Sequence, residues 1–195
     1  VLLIGLPAAL ALFALAEPLL STLFQYGEFS AFDVTQTAAS LRAYSAGLLA
    51  AMLIKVLAPG FYARQDTRTP VRIGVLAMLA NMLLGALLVW EWRHVGLASA
   101  MALSAWLNAG LLYLGLRRSG VYQPLPGWAL QWLRMLLAGA AMVAACYWLS
   151  LQTTVWNEAG VWPRVGWLSL IVVAGVAIYL SSLVVLGLRV RHLRR

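Results

Sequence analysis

Charge is scarce in this sequence. Of its 195 residues only 10% are Asp, Glu, Lys or Arg, against 63% apolar, where an ordinary soluble domain carries about 25% charged residues. A chain with so little polar surface cannot cover itself against water, and the mean hydropathy of +0.86 points to a bilayer as its solvent. Cysteine is rarer still. Cys146 stands alone, which excludes an internal disulfide and a Cys-based metal site and leaves it as a small packing residue. The two histidines, His94 and His192, fall in different connectors, so no metal constellation forms. Also missing are HExxH, GxSxG, a Walker loop and paired intramembrane carboxylates, which leaves an enzyme little to stand on. The sequence implies no cofactor and no bound metal. It starts at Val1 inside an apolar run with nothing basic before it, unlike a signal peptide. Residues 1 to 16 therefore read as part of a mature span, in a sequence that reads as a piece of something longer.

What is present is a series of apolar runs of spanning length, about 20 residues each. Six can be counted, so the expected fold is an all-α integral membrane protein of about six transmembrane helices. The first covers Val1 to about Leu23, with Glu17-Pro18 suggesting that the membrane helix ends near Ala16 and an interfacial turn or helix follows. The second runs from about Val34 to Ala58 and is expected to close at Pro59-Gly60. The third, Val71 to about Trp90, and the fourth, Gly96 to Leu116, make a hairpin joined by EWRHV. The fifth is Trp128 to about Leu151. The sixth, Val165 to Leu188, follows the polar link QTTVWNEAGVWPR and leads to the tail RVRHLRR.

The net charge of +8 and pI near 10.4 could suit nucleic acid, but the cations are dispersed at helix ends rather than gathered with aromatics on a soluble face. Anionic membrane lipids fit them better, and no nucleic-acid partner is expected. Ten of the fourteen basic residues, Arg64, Arg68, Arg72, Arg117, Arg118, Arg134, Arg189, Arg191, Arg194 and Arg195, fall on one side of six alternating spans. The excess of Lys and Arg in retained loops makes that side, and with it the carboxy terminus, cytoplasmic. Lys55 lies in the half of its span nearest the same face. Arg42, Arg93 and Arg164 fall toward the other, as membrane anchors. Trp90, Trp92, Trp128 and Trp167 at span ends fit interfacial belts.

One segment departs from plain hydrophobicity. KVLAPGFYARQDTRTPVR, residues 55 to 72, joins an intramembrane cation, a Pro-Gly break, an aromatic pair and a charged hairpin in which Thr69-Pro70 is expected to cap and start the next helix. With LFQYGEFSAFDVTQTAASLRAYSAGL upstream, it resembles the carboxy-terminal part of the MurJ (MviN) lipid II flippase family, within the multidrug/oligosaccharidyl-lipid/polysaccharide exporter superfamily. The likeness is strongest over residues 23 to 118 and continues to Arg195 as a pattern of two more spans and a basic tail. The resemblance implies a fourteen-helix exporter fold in which these spans are helices nine to fourteen, residues 1-118 being part of the second transporter lobe and 119-195 the final helix pair with its basic tail. It implies a transporter of an undecaprenyl-pyrophosphate-linked glycopeptide, lipid II, working by alternating access in the bacterial inner membrane. The substrate-gripping cations would then lie mostly in helices that precede this sequence. The spans holding Cys146 and Gly175 would help frame a groove for the lipid tail. Other cell-envelope synthesis proteins would be possible partners. Two other readings remain open: an exporter of other polyprenyl-linked glycans or drugs, and a non-transporting membrane scaffold.

Four residues stand as substrate or cavity candidates. Lys55 in a span costs about 2.5 to 3.5 kcal/mol at mid-bilayer, unless its stem snorkels to the interface. Arg42 sits a couple of turns into the same span from the other end, and thirteen positions of helix turn the two to different faces. Asn81 and Asn108, mid-span in neighbouring helices, are expected to hydrogen-bond between helices or to touch an ion or the cavity.

Overall fold

A computed structural model describes residues 1–120, 128–152, 156 and 160–187. The connector over 121–127, most of the link over 153–159, including Glu158, and the basic tail with Arg189, Arg191, His192, Arg194 and Arg195 lie outside the described residues. Among those described the regular structure is entirely helical: α1 (Leu2–Ala14), α2 (Ala16–Leu23), α3 (Ala31–Tyr62), α4 (Arg68–Arg118), α5 (Trp128–Leu151) and α6 (Val161–Val185).

Four of these helices are long and apolar enough to cross a membrane, and α1 with α2 passes the same test as a span bent by 71°. The bend falls at Leu15, whose φ of −100° and ψ of 17° leave the helical region. The sequence placed the end of the first membrane helix there, and a short second helix does follow. α4 accounts for two crossings. Fifty-one residues of straight helix would extend about 76 Å, more than twice the thickness of a hydrocarbon core. Instead Arg93 takes φ 48° and ψ −124°, a left-handed value rare outside glycine, and the chain turns back. Two contacts prove the reversal. A Cβ at Gly96 would collide with the Leu88 carbonyl, and one at Gly85 would lie 3.5 Å from Leu97 and 4.0 Å from Ala100. In a straight helix those partners would be about 12 to 22 Å apart. With α3, α5, α6 and the bent pair taken as one span, the two arms of the hairpin bring the candidate crossings among the described residues to six.

The residues group into two compact units, Val1–Gly5 with Ala39–Pro124, and Leu6–Ala38 with Leu125–Arg195. In the first unit, most of α3 packs against the α4 hairpin. Gly47 presses so closely on the returning arm that a Cβ there would lie 2.7 Å from Ala102 Cα. One residue earlier the Ala46 carbonyl accepts a 2.8 Å hydrogen bond from the Trp106 indole. At the far end of α3, Phe61, Ile73, Leu112 and Leu116 are buried together, flanked by Ile54, Leu57, Ala58 and Leu111.

This last cluster corrects two expectations. α3 does not close at Pro59-Gly60 but runs to Tyr62. The proline ring removes one donor near the helix end, and the Pro59 carbonyl still accepts from the Ala63 N–H at 2.9 Å. Gly60 is there for space: a Cβ would lie 3.1 Å from Leu116, while one at Gly115 would lie 2.9 Å from the Phe61 ring. The cap of α4 is likewise displaced. The helix starts at Arg68, one residue before Thr69, and Thr69 donates its N–H to Asp66 Oδ1 at 3.0 Å. Asp66, three residues before Thr69, is the capping side chain.

In the second unit α5 and α6 pair along their lengths, and α2 packs on α6. Cys146 and Gly175 mark the close point of the pair, where a Cβ on the glycine would lie 2.7 Å from Sγ. The thiol points to the Ile171 carbonyl at 3.9 Å, so Cys146 is a buried packing residue. α3 starts in this unit behind a capping box that the sequence reading missed. The Ser30 N–H donates to Asp33 Oδ2 at 2.9 Å and the Asp33 N–H to Ser30 Oγ at 3.3 Å.

Candidate functional site

The four candidate residues all belong to the first unit, and they do not form one cluster. Arg42 is half-buried on α3, where its carbonyl accepts a 2.8 Å bond from Ser45 Oγ. Lys55, on the same helix, is exposed. The two face different environments on an unbroken helix, as thirteen positions of rotation require.

Asn81 and Asn108 lie on opposite arms of α4, but no hydrogen bond joins them, and Asn108 Oδ1 is buried without a partner. The expected interhelical pair is therefore absent, and the hairpin's register explains it. With Gly85 against Ala100 and Gly96 against Leu88, a straight continuation sets Asn81 level with Ser104 and Asn108 level with Ala77. The two amides are out of step by about one helical turn. The Ser104 hydroxyl satisfies itself locally on the Met101 carbonyl at 3.0 Å.

A second polar site emerges in the other unit. Arg164, read from the sequence as a membrane anchor, is only 7% exposed. Its Nη1 donates to the Ser21 carbonyl at 3.0 Å and to the Gln25 carbonyl at 3.4 Å. The guanidinium carbon stands 5.9 Å from the centroid of the Tyr26 ring, within cation–π range. The local sequence builds this arrangement. Gly160, with φ −66° and ψ 178°, leads into α6 without a side-chain cap. Pro163 falls in the first turn, where a missing N–H costs nothing, and sets Arg164 one residue further on. A cation there meets the unfavourable positive end of its own helix dipole. The fold sets it against the last carbonyls of α2, where the partial charge is negative. The match is incomplete, because Arg164 Nε and Gln25 Oε1 are both buried without partners.

At the opposite end of the α5–α6 pair, Arg134 Nη1 and Nη2 lie 4.0 Å from where a Cβ would stand on Gly187, just past the end of α6 and at φ 81°. An arginine thus stands beside the carboxyl ends of both α2 and α6. Position in the sequence revealed neither partnership. A cation in the first turn of a helix was the available signal for Arg164.

Among the described residues no group of three or more His, Cys, Asp or Glu side chains could hold a metal ion. Outside the spans, Asp66 is an acid with a clear electrostatic role. Hydrogen bonds from Thr69 hold its carboxyl below the ordinary carboxylate range, against the smaller opposing effect of burial.

The family model described as "Lipid II flippase MurJ" matches residues 1–162. The chain belongs to the lipid II flippase MurJ family. Among its relatives, a "Probable lipid II flippase MurJ" of Vibrio cholerae is 46% identical over 191 residues, covering 98% of this chain and 36% of the relative. One of the same description from Haemophilus influenzae is 45% identical over 193 residues, covering 99% and 38%. The "Lipid II flippase MurJ" of Burkholderia cenocepacia is 38% identical over 195 residues, covering 99% and 38%. The chain thus spans less than two fifths of the length of these MurJ relatives. In three dimensions it resembles a solved structure described as "Lipid II flippase MurJ, inward closed conformation", with a TM-score of 0.80 at 20% identity over 100% of this chain and 38% of that one. That likeness is one of fold.

Proposed function

We propose that the full-length protein carrying this chain moves lipid II, the polyprenyl-pyrophosphate-linked precursor of peptidoglycan, across the bacterial inner membrane by alternating access. The family match over residues 1–162 carries this reading. The fold supports it, since apolar helices of spanning length form most of the described residues. In this reading the crossings correspond to helices nine to fourteen of a fourteen-helix exporter, with 1-118 in the second lobe, 119-195 as the final pair and the carboxy terminus cytoplasmic. Half-buried Arg42 and exposed Lys55 serve as cavity-side cations at separate places along the path, since they face different ways on α3. Asn108, with its unmet carbonyl oxygen, and Asn81 line the polar part of the path. The final pair offers the lipid tail a wall of exposed apolar side chains, among them Leu133, Leu137, Val173 and Val176.

The test is depletion of the full-length protein in cells without a redundant flippase, followed by a probe for lipid II on the outer leaflet. Loss of outer exposure is expected. Unchanged exposure refutes the reading.

A further inference from the structure

The Arg164 site contains a contradiction that suggests a use. Its guanidinium is enclosed, engages two carbonyls and stands over an aromatic ring, all of which fasten the start of α6 to the end of α2. Yet Arg164 and Gln25, already joined from Nη1 to the Gln25 backbone carbonyl, each keep a buried side-chain polar atom unmet, one a donor and one an acceptor. A buried polar group without a partner forfeits the hydrogen bonds it would make in water. Fastening and deficit in one contact describe a closure held by part of its bonds and pushed open by the rest.

We propose that Arg164, Gln25 and Tyr26 form a releasable latch, by which the last turn of α2 and the segment after it part from α6 while the α5–α6 pair stays closed. Opening restores water to Arg164 Nε and Gln25 Oε1 and breaks the two carbonyl bonds. The hinge is already present at Leu15, where α1 and α2 meet at 71°. The α5–α6 pair has its own close contact at Cys146 and Gly175 and does not depend on the latch. The inference concerns motion within one unit and holds whatever the cargo.

Two substitutions act in opposite directions, which distinguishes a latch from a merely structural arginine. Hydrogen–deuterium exchange is measured by mass spectrometry on peptides covering residues 19–29 of the full-length protein in lipid nanodiscs. Arg164→Met removes the fastening and is expected to speed exchange there about tenfold or more. Gln25→Met keeps the length of the side chain and the backbone carbonyl but removes the unmet acceptor. It is expected to slow exchange in the same peptides by about tenfold. Peptides over 138–146 in α5 should stay unchanged in both. If Arg164→Met exchanges faster over 138–146 as well, the variant is misfolded and Gln25→Met decides alone. Exchange in Gln25→Met equal to or faster than in the parent overturns the latch, as does unchanged exchange in a folded Arg164→Met protein.

Discussion

Substituting alanine for Gly47 tests the packing of the first unit most sharply when set beside the same change at Gly110. An added methyl at position 47 would lie 2.7 Å from Ala102 Cα and 3.0 Å from its Cβ, where carbon atoms normally rest about 3.5 to 4.0 Å apart. Ala102 Cα is backbone and cannot swing aside, so α3 and the returning arm of α4 must separate by about 1 Å. Overpacking of this kind costs about 1–3 kcal/mol. At Gly110 a Cβ would meet nothing within 4 Å. Both changes gain the helix propensity of alanine over glycine, about 1 kcal/mol. That gain cancels in the comparison, leaving the Gly47→Ala protein about 1–3 kcal/mol less stable than Gly110→Ala. Thermal or denaturant unfolding in detergent measures the difference. Trp106 gives a local reading, because a separation of about 1 Å would stretch its bond to Ala46, now 2.8 Å, beyond hydrogen-bonding range. Its emission should shift in Gly47→Ala and stay fixed in Gly110→Ala. Equal stability of the two variants would refute the close packing of α3 on α4.

Other consequences are as direct. Folding lowers the pKa of the Asp66 carboxyl, so its cap contributes fully above the ordinary carboxylate range and fades as pH falls through the folded value. Protection of the Thr69 amide, taken relative to the intrinsic exchange rate at each pH, should therefore fall on acidification in the parent, and an Asp66→Asn protein should show little of that pH dependence. Asn108→Leu removes a buried acceptor that has no partner and is expected to leave stability unchanged or raise it by about 1 kcal/mol in an unfolding titration; a loss of 2 kcal/mol would mean that the amide is bonded after all. Cys146, only 2% exposed, should resist maleimide labelling in the folded protein. Gly175→Val, which forces bulk against its sulfur, should make it reactive, and ready labelling of the parent would contradict the closed pair.

The crossings were legible because the bilayer imposes a length on apolar runs that short polar connectors interrupt. Even the hairpin could be read, since EWRHV divides what would otherwise be one helix of 51 residues. Glu17-Pro18 likewise signalled the end of the first membrane helix. The details that failed depend on neighbours. Pro59-Gly60 looks like a terminator in isolation, but the glycine answers to Leu116 on another helix. Thr69 is a plausible cap by residue type, and Asp66 holds the role because the turn reaches Thr69 from three residues upstream. Asn81 and Asn108 were paired by depth in the membrane, whereas the turn at Arg93 sets a register that separates them. Arg164 finds its partners about 140 residues earlier in the chain, a distance over which local pattern carries no information. The site residues were the least legible for the same reason. A cation in a span announces its cost in hydrocarbon, while the partner that meets that cost comes from tertiary structure.

The central claim is that this helical body serves a lipid II flippase, and transport by the purified full-length protein tests it most directly. Proteoliposomes loaded with lipid II, probed with a reagent that reaches only the outer leaflet, should show lipid II moving between leaflets when the protein is present. A leaflet distribution identical to that of protein-free liposomes, with the protein folded and inserted, would contradict the account.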